Sequence, residues 1–233
     1  MLESILRSGF AEMGIAIGED AIGAFRRYYD KLDEKNRVMN LTAISGEADS
    51  ARLHFLDSAS PLLLADLSGC SVIDVGTGAG FPGLPLRILR PDIRLTLLDS
   101  LNKRVAFLQE LCGELGYADV DCVHARAEEC GPRREQYDYA VSRAVARLNV
   151  LCELCLPYVK VGGAFLALKG PAIHEELAEA EKAITALGGT LEQVFPYTIP
   201  GVDAAHNIAV IRKCSPTPHK YPRRFALMKK SPL

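Results

Sequence analysis

The sequence predicts an α/β fold: a mostly parallel, Rossmann-like sheet that ends in a C-terminal antiparallel hairpin and is preceded by N-terminal helices. Three observations lead there. From Cys70 onward, short apolar runs alternate with amphipathic segments, the pattern of βαβ units whose sheet is covered on both faces. One of those runs, Val72-Ile73-Asp74-Val75, opens into a glycine-dense turn. After Gly188-Gly189, two strand-like runs, 190–199 and 207–212, follow with no helix between them, as a hairpin at one edge of the sheet requires.

The elements follow in order. Ile22, Phe25, Tyr29 and Leu32 recur at one-face helical spacing behind the acidic start Glu19-Asp20, and 53–67 gives a second apolar helix before the first strong strand. The alternation then runs through SVIDVG and a helix at 84–89, LTLLD and a helix at 105–115, VDCVHA, YDYAVS and a helix at 150–156, GGAFLALKG and a helix at 175–187. The stretch SPTPHKYPRR continues neither strand nor helix and is expected to run extended over the surface. This divides a single domain into an N-terminal helical extension (1–68), a core (69–213) and a basic, Pro-containing tail (214–233).

Composition is that of an ordinary globular chain: 233 residues, 48% hydrophobic and 24% charged, which excludes disordered and collagen-like classes. The formal charge of -2 hides an asymmetry. After Asp203 there is no acidic residue and seven basic ones, leaving 20 basic against 29 acidic residues on the rest, so a +7 tail follows a -9 body. Such a tail is a candidate polyanion contact. No apolar run is long enough to span a membrane and the N-terminus lacks the form of a secretory signal, so a cytoplasmic monomer without membrane association is expected. The 7 cysteines have no framework spacing. Cys152 and Cys155 form one CxxC inside an apolar helical pattern with no second ligand pair, and read as small core side chains rather than a metal site.

The turn Gly76-Thr77-Gly78-Ala79-Gly80-Phe81-Pro82-Gly83 is so rich in glycine that its backbone must adopt positive φ or admit a ligand to contact with the main chain. A nucleotide-like ligand is implied. Gly78, Gly80 and Gly83 satisfy the dinucleotide fingerprint G-x-G-x-x-G, but Pro82 and Pro85 delay the helix that a pyrophosphate would meet. The frame Asp74-x-Gly76-x-Gly78-x-Gly80 resembles instead the first motif of Rossmann-like S-adenosylmethionine-dependent methyltransferases. Asp99 ends the next strand 23 residues after Gly76, where a carboxylate accepts hydrogen bonds from both ribose hydroxyls of a nucleoside; either cofactor class uses such an acid, and a helix N-cap is the structural alternative. Glu128 in Arg126-Ala127-Glu128 follows the third strand, where the adenine pocket of such methyltransferases commonly lies. The closing hairpin, absent from nicotinamide-binding sheets, favours the methyltransferase over the oxidoreductase.

The sequence lacks the Pro-Cys of thiolate-dependent pyrimidine methylation, and after the fourth strand it reads Val141-Ser142-Arg143-Ala144-Val145-Ala146-Arg147 rather than the acidic or amide, two-proline and aromatic motif of adenine amino methylation. An acceptor such as guanine N7 carries no proton and needs no general base. Arg143, at the end of the fourth strand, is placed to hold a cofactor carboxylate, an RNA phosphate or a base edge, or to pair with a nearby acid. Lys169 ends the fifth strand at the same edge, where a charge must be solvated, paired or turned to a substrate.

In order and spacing, Met39-Asn40-Leu41-Thr42, His54-Phe55-Leu56-Asp57-Ser58, the glycine turn, Asp99-Ser100-Leu101-Asn102-Lys103-Arg104, Arg126-Ala127-Glu128, Ser142-Arg143-Ala144, Leu168-Lys169-Gly170 and Tyr221-Pro222-Arg223-Arg224 resemble the bacterial small-subunit ribosomal RNA guanine-N7 methyltransferase G family, also called the glucose-inhibited division protein B family. The resemblance implies methyl transfer from S-adenosyl-L-methionine to N7 of one guanine in 16S ribosomal RNA, by direct in-line attack. It implies cofactor contacts at Gly76, Phe81, Ala127, Glu128 and Arg143, and with them Gly78 and Gly80 of the turn, Asp99 and Ser100 are expected to bind the cofactor; Asn40, Lys169, Arg223 and Arg224 are expected toward the RNA or ribosomal subunit. The tail departs from the family in Phe225-Ala226-Leu227-Met228, where a Pro- and Gly-rich stretch is common. A noncatalytic RNA-binding assembly module with the same fold is the remaining alternative.

Overall fold

The structure, a computed structural model, describes residues 1–143 and 146–233. Its centre is a seven-stranded sheet in the order β3-β2-β1-β4-β5-β7-β6. The strands are β1 (Ser71–Val75), β2 (Arg94–Asp99), β3 (Asp121–His124), β4 (Tyr137–Arg143), β5 (Val159–Lys169), β6 (Gly189–Ile199) and β7 (Val202–Lys213). Strands β1 to β5 pair in parallel, and β7 enters antiparallel between β5 and β6. The register sets Val75 beside Leu98, Asp99 beside His124 and Arg143 beside Leu168, so the carboxyl ends of five strands form one edge.

Alternation along the strands divides the core in two, because successive side chains point to opposite faces. Val72, Val141, Leu166 and Val210 join one buried cluster with the N-terminal helices, and their neighbours Ile73, Ala140, Phe165 and Ile211 join the other. The first face is covered by α1 (Leu2–Glu12), α2 (Glu19–Met39), the helical stretch 47–63, α5 (Gly83–Leu89) and α6 (Asn102–Leu115). On the second face lie α7 (Leu148–Cys155) and α8 (Ile173–Ala186). Cys152 and Cys155 are buried free thiols in that second cluster.

Three expectations need correction. Helix α1 has no counterpart in the sequence reading, although Leu2, Leu6 and Phe10 are fully buried at one-face spacing. On α2 the core residue is Tyr28, not Tyr29, which stays half-buried beneath Arg26. The helix placed at 53–67 runs from 47 to 63 as α3 (Glu47–Asp49), a π-helical stretch (Ser50–Leu56), α4 (Asp57–Ala59) and a 3-10 turn (Ser60–Leu63).

The tail is extended through the proline stretch but is strapped to the body rather than lying free. Arg134 donates to the carbonyls of Thr217, Pro218 and Tyr221; Thr217, Tyr221 and Met228 are buried; the chain then forms the short helix α9 (Phe225–Lys230). No helix among the described residues is long and apolar enough to cross a membrane.

Candidate active site

The turn after β1 is built from the inside out. Asp74, fully buried, accepts from Thr77 Oγ1 at 2.7 Å and from the Gly83 N–H at 2.8 Å, tying both ends of the turn to its carboxyl group. Burial pushes that carboxyl up to about 7. The N–H groups of Gly76 and Thr77 donate to Leu98 O, and that of Gly78 donates to Asp99 Oδ2 at 3.0 Å, so the turn is pinned to the end of β2. Gly76, Gly78 and Gly80 have φ of 72°, 61° and 107°, the left-handed region that a side chain makes costly.

Behind the turn stands an aromatic stack. Tyr28 donates to Ala79 O at 2.6 Å and lies flat against Phe81 (5.2 Å between ring centroids), which lies flat against His54 (4.2 Å). The π-helical stretch turns His54 toward Arg143, a placement in keeping with the functional use of such irregular turns. Arg143 donates through Nη2 to His54 Nδ1 and through Nη1 to Leu53 O and Asp57 Oδ2 (2.7 Å), with its guanidinium over Phe81. A guanidinium only donates, so His54 Nδ1 must accept, its proton sits on Nε2, and Nε2 donates to Thr42 Oγ1 at 2.9 Å. Burial and the Arg143 charge lower His54 to about 3 and keep it neutral. Burial alone would raise Asp57, but His206, Arg143 and the Tyr197 hydroxyl together hold it below the usual carboxylate range.

These elements enclose a cleft of about 450 Å³ at the carboxyl edge of the sheet. One wall is Gly76 to Ala79 and Phe81; another is Leu98, Asp99 and Ser100; a third is Ala125 to Glu128; Arg143 and His54 line the inner end. Asp99 is 3% exposed, accepts from the Leu101 N–H at 2.9 Å and lies 3.4 Å from Arg104. A Cβ at Gly78 would meet nothing within 4 Å, so the main chain there faces open space. A carboxylate, a bare stretch of backbone and an apolar slot between Leu98, Ala125 and Phe225 suit a ribose, a chain of atoms passing the turn, and an adenine. The cleft therefore fits S-adenosylmethionine.

The family model for rRNA small subunit methyltransferase G matches residues 21–201. Relatives carrying that name include one from Alkaliphilus metalliredigens, 51% identical with 98% of each chain covered, and one from Alkaliphilus oremlandii, 51% identical with 100% of this chain and 99% of that one covered. The chain belongs to the rRNA small subunit methyltransferase G family. Among solved structures, TrmN from Thermus thermophilus (TM-score 0.55, 20% identity, covering 76% of this chain and 53% of that one) and a geranyl diphosphate methyltransferase in complex with SAM (TM-score 0.54, 12% identity, 68% and 86%) share the fold.

Of the cofactor residues expected from the sequence, Gly76, Gly78, Phe81, Asp99, Ser100, Ala127, Glu128 and Arg143 line one cleft. Gly80 does not: a Cβ there would sit 2.5 Å from the Tyr28 hydroxyl, so this glycine makes room for the Tyr28–Ala79 hydrogen bond. Asn40 is exposed at the left-handed end of α2, outside the cleft that its neighbours Leu41 and Thr42 line. Arg223 is not free for RNA, because it grips the buried Glu153 through Nε and Nη2. Arg224 is exposed beside Arg126 and Lys229 on a separate hollow. Lys169 lines a second cavity, with its ammonium bonded to Glu176 and Ala146 O. Ala144 and Val145 lie outside the described residues.

The sequence reading missed Thr42, His54, Arg104 and Phe225 as cleft residues. For His54 and Asp57 a signal was present, since they are titratable residues three apart in a helical stretch, the spacing that puts both on one face. Phe225 had none, because only the fold of the tail brings it to the cleft.

Proposed function

We propose that this protein transfers a methyl group from S-adenosyl-L-methionine to N7 of a guanine in small-subunit (16S) ribosomal RNA. The observation that carries the proposal is that a single cleft gathers the glycine turn, Asp99, Glu128 and Arg143 in a chain matching small-subunit rRNA methyltransferases over its whole length. Bound in the cleft, S-adenosylmethionine supplies a methyl group on a sulfonium, electrophilic enough to need no further activation.

The protein's own part is positioning. Asp99 accepts from the ribose hydroxyls while the Gly78 N–H keeps its carboxylate in place. Ala127 and Glu128 wall the adenine, with Ala127 O fixed by the Tyr158 hydroxyl. Arg143 is immobilised at the inner end by His54, Asp57 and Leu53 O. Guanine N7 offers a lone pair and no proton. The groups there are correspondingly occupied: His54 has both ring nitrogens bonded, and Asp57 is paired with Arg143 and Tyr197. This supports direct in-line attack without a general base. The oxidoreductase reading is disfavoured by β7, inserted antiparallel between β5 and β6.

Calorimetry tests the cofactor assignment. S-adenosylmethionine binds and NADH does not, and Asp99→Asn weakens binding roughly 10- to 100-fold, the worth of about 1.5–3 kcal/mol for hydrogen bonds to a charged group. Binding of NADH in preference to S-adenosylmethionine overturns it.

A further inference from the structure

Arg143 is shared between the cofactor cleft and a second cavity of about 440 Å³, which no part of the cofactor reading uses. Two bonded groups stand around that cavity. One is Asp57 with Arg143, Tyr197 and His206; the other is Glu176 with Lys169. Leu168 and Gly170 supply an apolar and a side-chain-free stretch of wall. The cavity thus lies at the ends of β4 and β5, on the edge where the cofactor cleft opens.

Glu176 is the unusual member. Its side chain is only 15% exposed, and its Oε2 accepts both the Lys169 ammonium and the Leu148 N–H at 2.7 Å. Its Oε1 has no hydrogen-bond donor among the described residues. That oxygen opens onto the cavity, while Lys169 and the Leu148 N–H hold the other, so the carboxylate is fixed in place and free to accept from a ligand that brings donors. Among the bases, only guanine sets two donors, N1–H and N2–H, side by side. Adenine and cytosine place an acceptor beside the amino group, and uracil flanks its one N–H with carbonyls. A purine held by that edge has N7 on the other side of its ring system, free of the protein carboxylate.

We propose that this second cavity receives the acceptor base, extruded from the RNA, and that Glu176 is the specificity-determining residue, reading N1–H and N2–H of guanine through Oε1. The inference rests on the guanine-N7 reading above and names the site where that base is held. Lys169 and the Leu148 N–H are positioning groups that fix the carboxylate.

The test is a nucleotide titration followed by NMR on the full chain saturated with S-adenosylhomocysteine, so that the cofactor cleft is filled. GMP, IMP (which lacks the 2-amino group) and AMP are compared. GMP binds about tenfold or more tightly than IMP, the expected worth of one hydrogen bond to a carboxylate, and AMP binds weakest. In Glu176→Gln the difference between GMP and IMP shrinks to within about twofold. Absence of GMP binding, equal affinities for the nucleotides, or an unaltered preference in Glu176→Gln overturns the assignment. The comparison on the unmodified chain stands even if the variant does not fold. Methyl transfer to ribosomal subunits, followed in parallel, separates the two levels. Transfer to guanine N7 without nucleotide preference removes the pocket and leaves the function, whereas label on another base removes the function.

Discussion

Asp74 and His54 show how single residues set the pH behaviour of this site. Asp74 is buried with one carboxyl oxygen, Oδ1, unpartnered, and its pKa is raised to about 7. A raised carboxyl favours the fold below its unfolded value, about 3.9, and that contribution is lost as pH climbs through about 7. His54 runs the other way. Lowered to about 3, it favours the fold fully above its unfolded value of about 6.5 and loses that contribution as pH falls. The two slopes oppose each other between about pH 4 and 6.5, so the unmodified protein should be nearly flat there. Asp74→Asn keeps an acceptor for Thr77 and Gly83 and removes one slope. Its stability relative to the unmodified chain should therefore rise by about 1.4 kcal/mol per pH unit from about pH 4 to 7, as read by urea unfolding at several pH values. A constant gap across that range would show that the Asp74 carboxyl titrates normally in the fold.

Within the glycine turn, two residues that look alike in sequence do different work. Gly78 faces the cleft with open space at its Cβ position, whereas Gly80 is packed against Tyr28, Leu84 and Leu108. Gly78→Ala should cost about 1 kcal/mol of stability for its left-handed backbone and abolish most cofactor affinity. Gly80→Ala should cost on the order of 2–3 kcal/mol, since the Tyr28 hydroxyl and the Leu108 side chain must both give way and the backbone is left-handed. Thermal melts with calorimetry separate the two, and equal effects on both readouts would erase the distinction. The tail divides in the same manner. Of the seven basic residues after Asp203, Arg212 and Lys213 lie in β7, where Arg212 pairs with Glu192 and Lys213 is buried against Glu135, and Arg223 holds Glu153, so much of the apparent positive charge is internal. Arg223→Ala leaves the buried Glu153 carboxylate without its guanidinium and with only the main-chain N–H of residue 223, should cost about 3–5 kcal/mol, and should loosen Phe225 at the cofactor cleft. Arg224→Ala should leave melting and cofactor affinity alone and flatten the salt dependence of RNA binding by about 0.7–0.9 in log–log slope. A drop in melting temperature for Arg224→Ala, or none for Arg223→Ala, would contradict that division. Charge counting could not separate these arginines, because the partner acids lie 20 to 70 residues away in sequence.

At the scale of the molecule, the sheet was legible because strand alternation and the glycine turn are local signals, and so were Asp99 and Glu128, which end or follow strands. What was not legible depends on long-range closure. The pairing of Arg143 with Asp57 joins residues 86 apart, and that of Tyr197 with Asp57 joins residues 140 apart, so the inner end of the site exists only once the N-terminal helices have docked on the sheet. Lys169, read as turned toward a substrate, is instead bonded to Glu176, seven residues on in the first turn of α8, a pairing set by how the chain turns from β5 into that helix. The result is a molecule in which the N-terminal helices, the sheet edge and the tail each contribute a wall to one cleft. The most direct test of its use is to incubate unmethylated small ribosomal subunits with the protein and methyl-labelled S-adenosylmethionine, and to identify the product by nucleoside mass spectrometry of the recovered RNA. The expected product is 7-methylguanosine at a single position of the small-subunit RNA. Label on any other atom or base, or in large-subunit RNA alone, would contradict it.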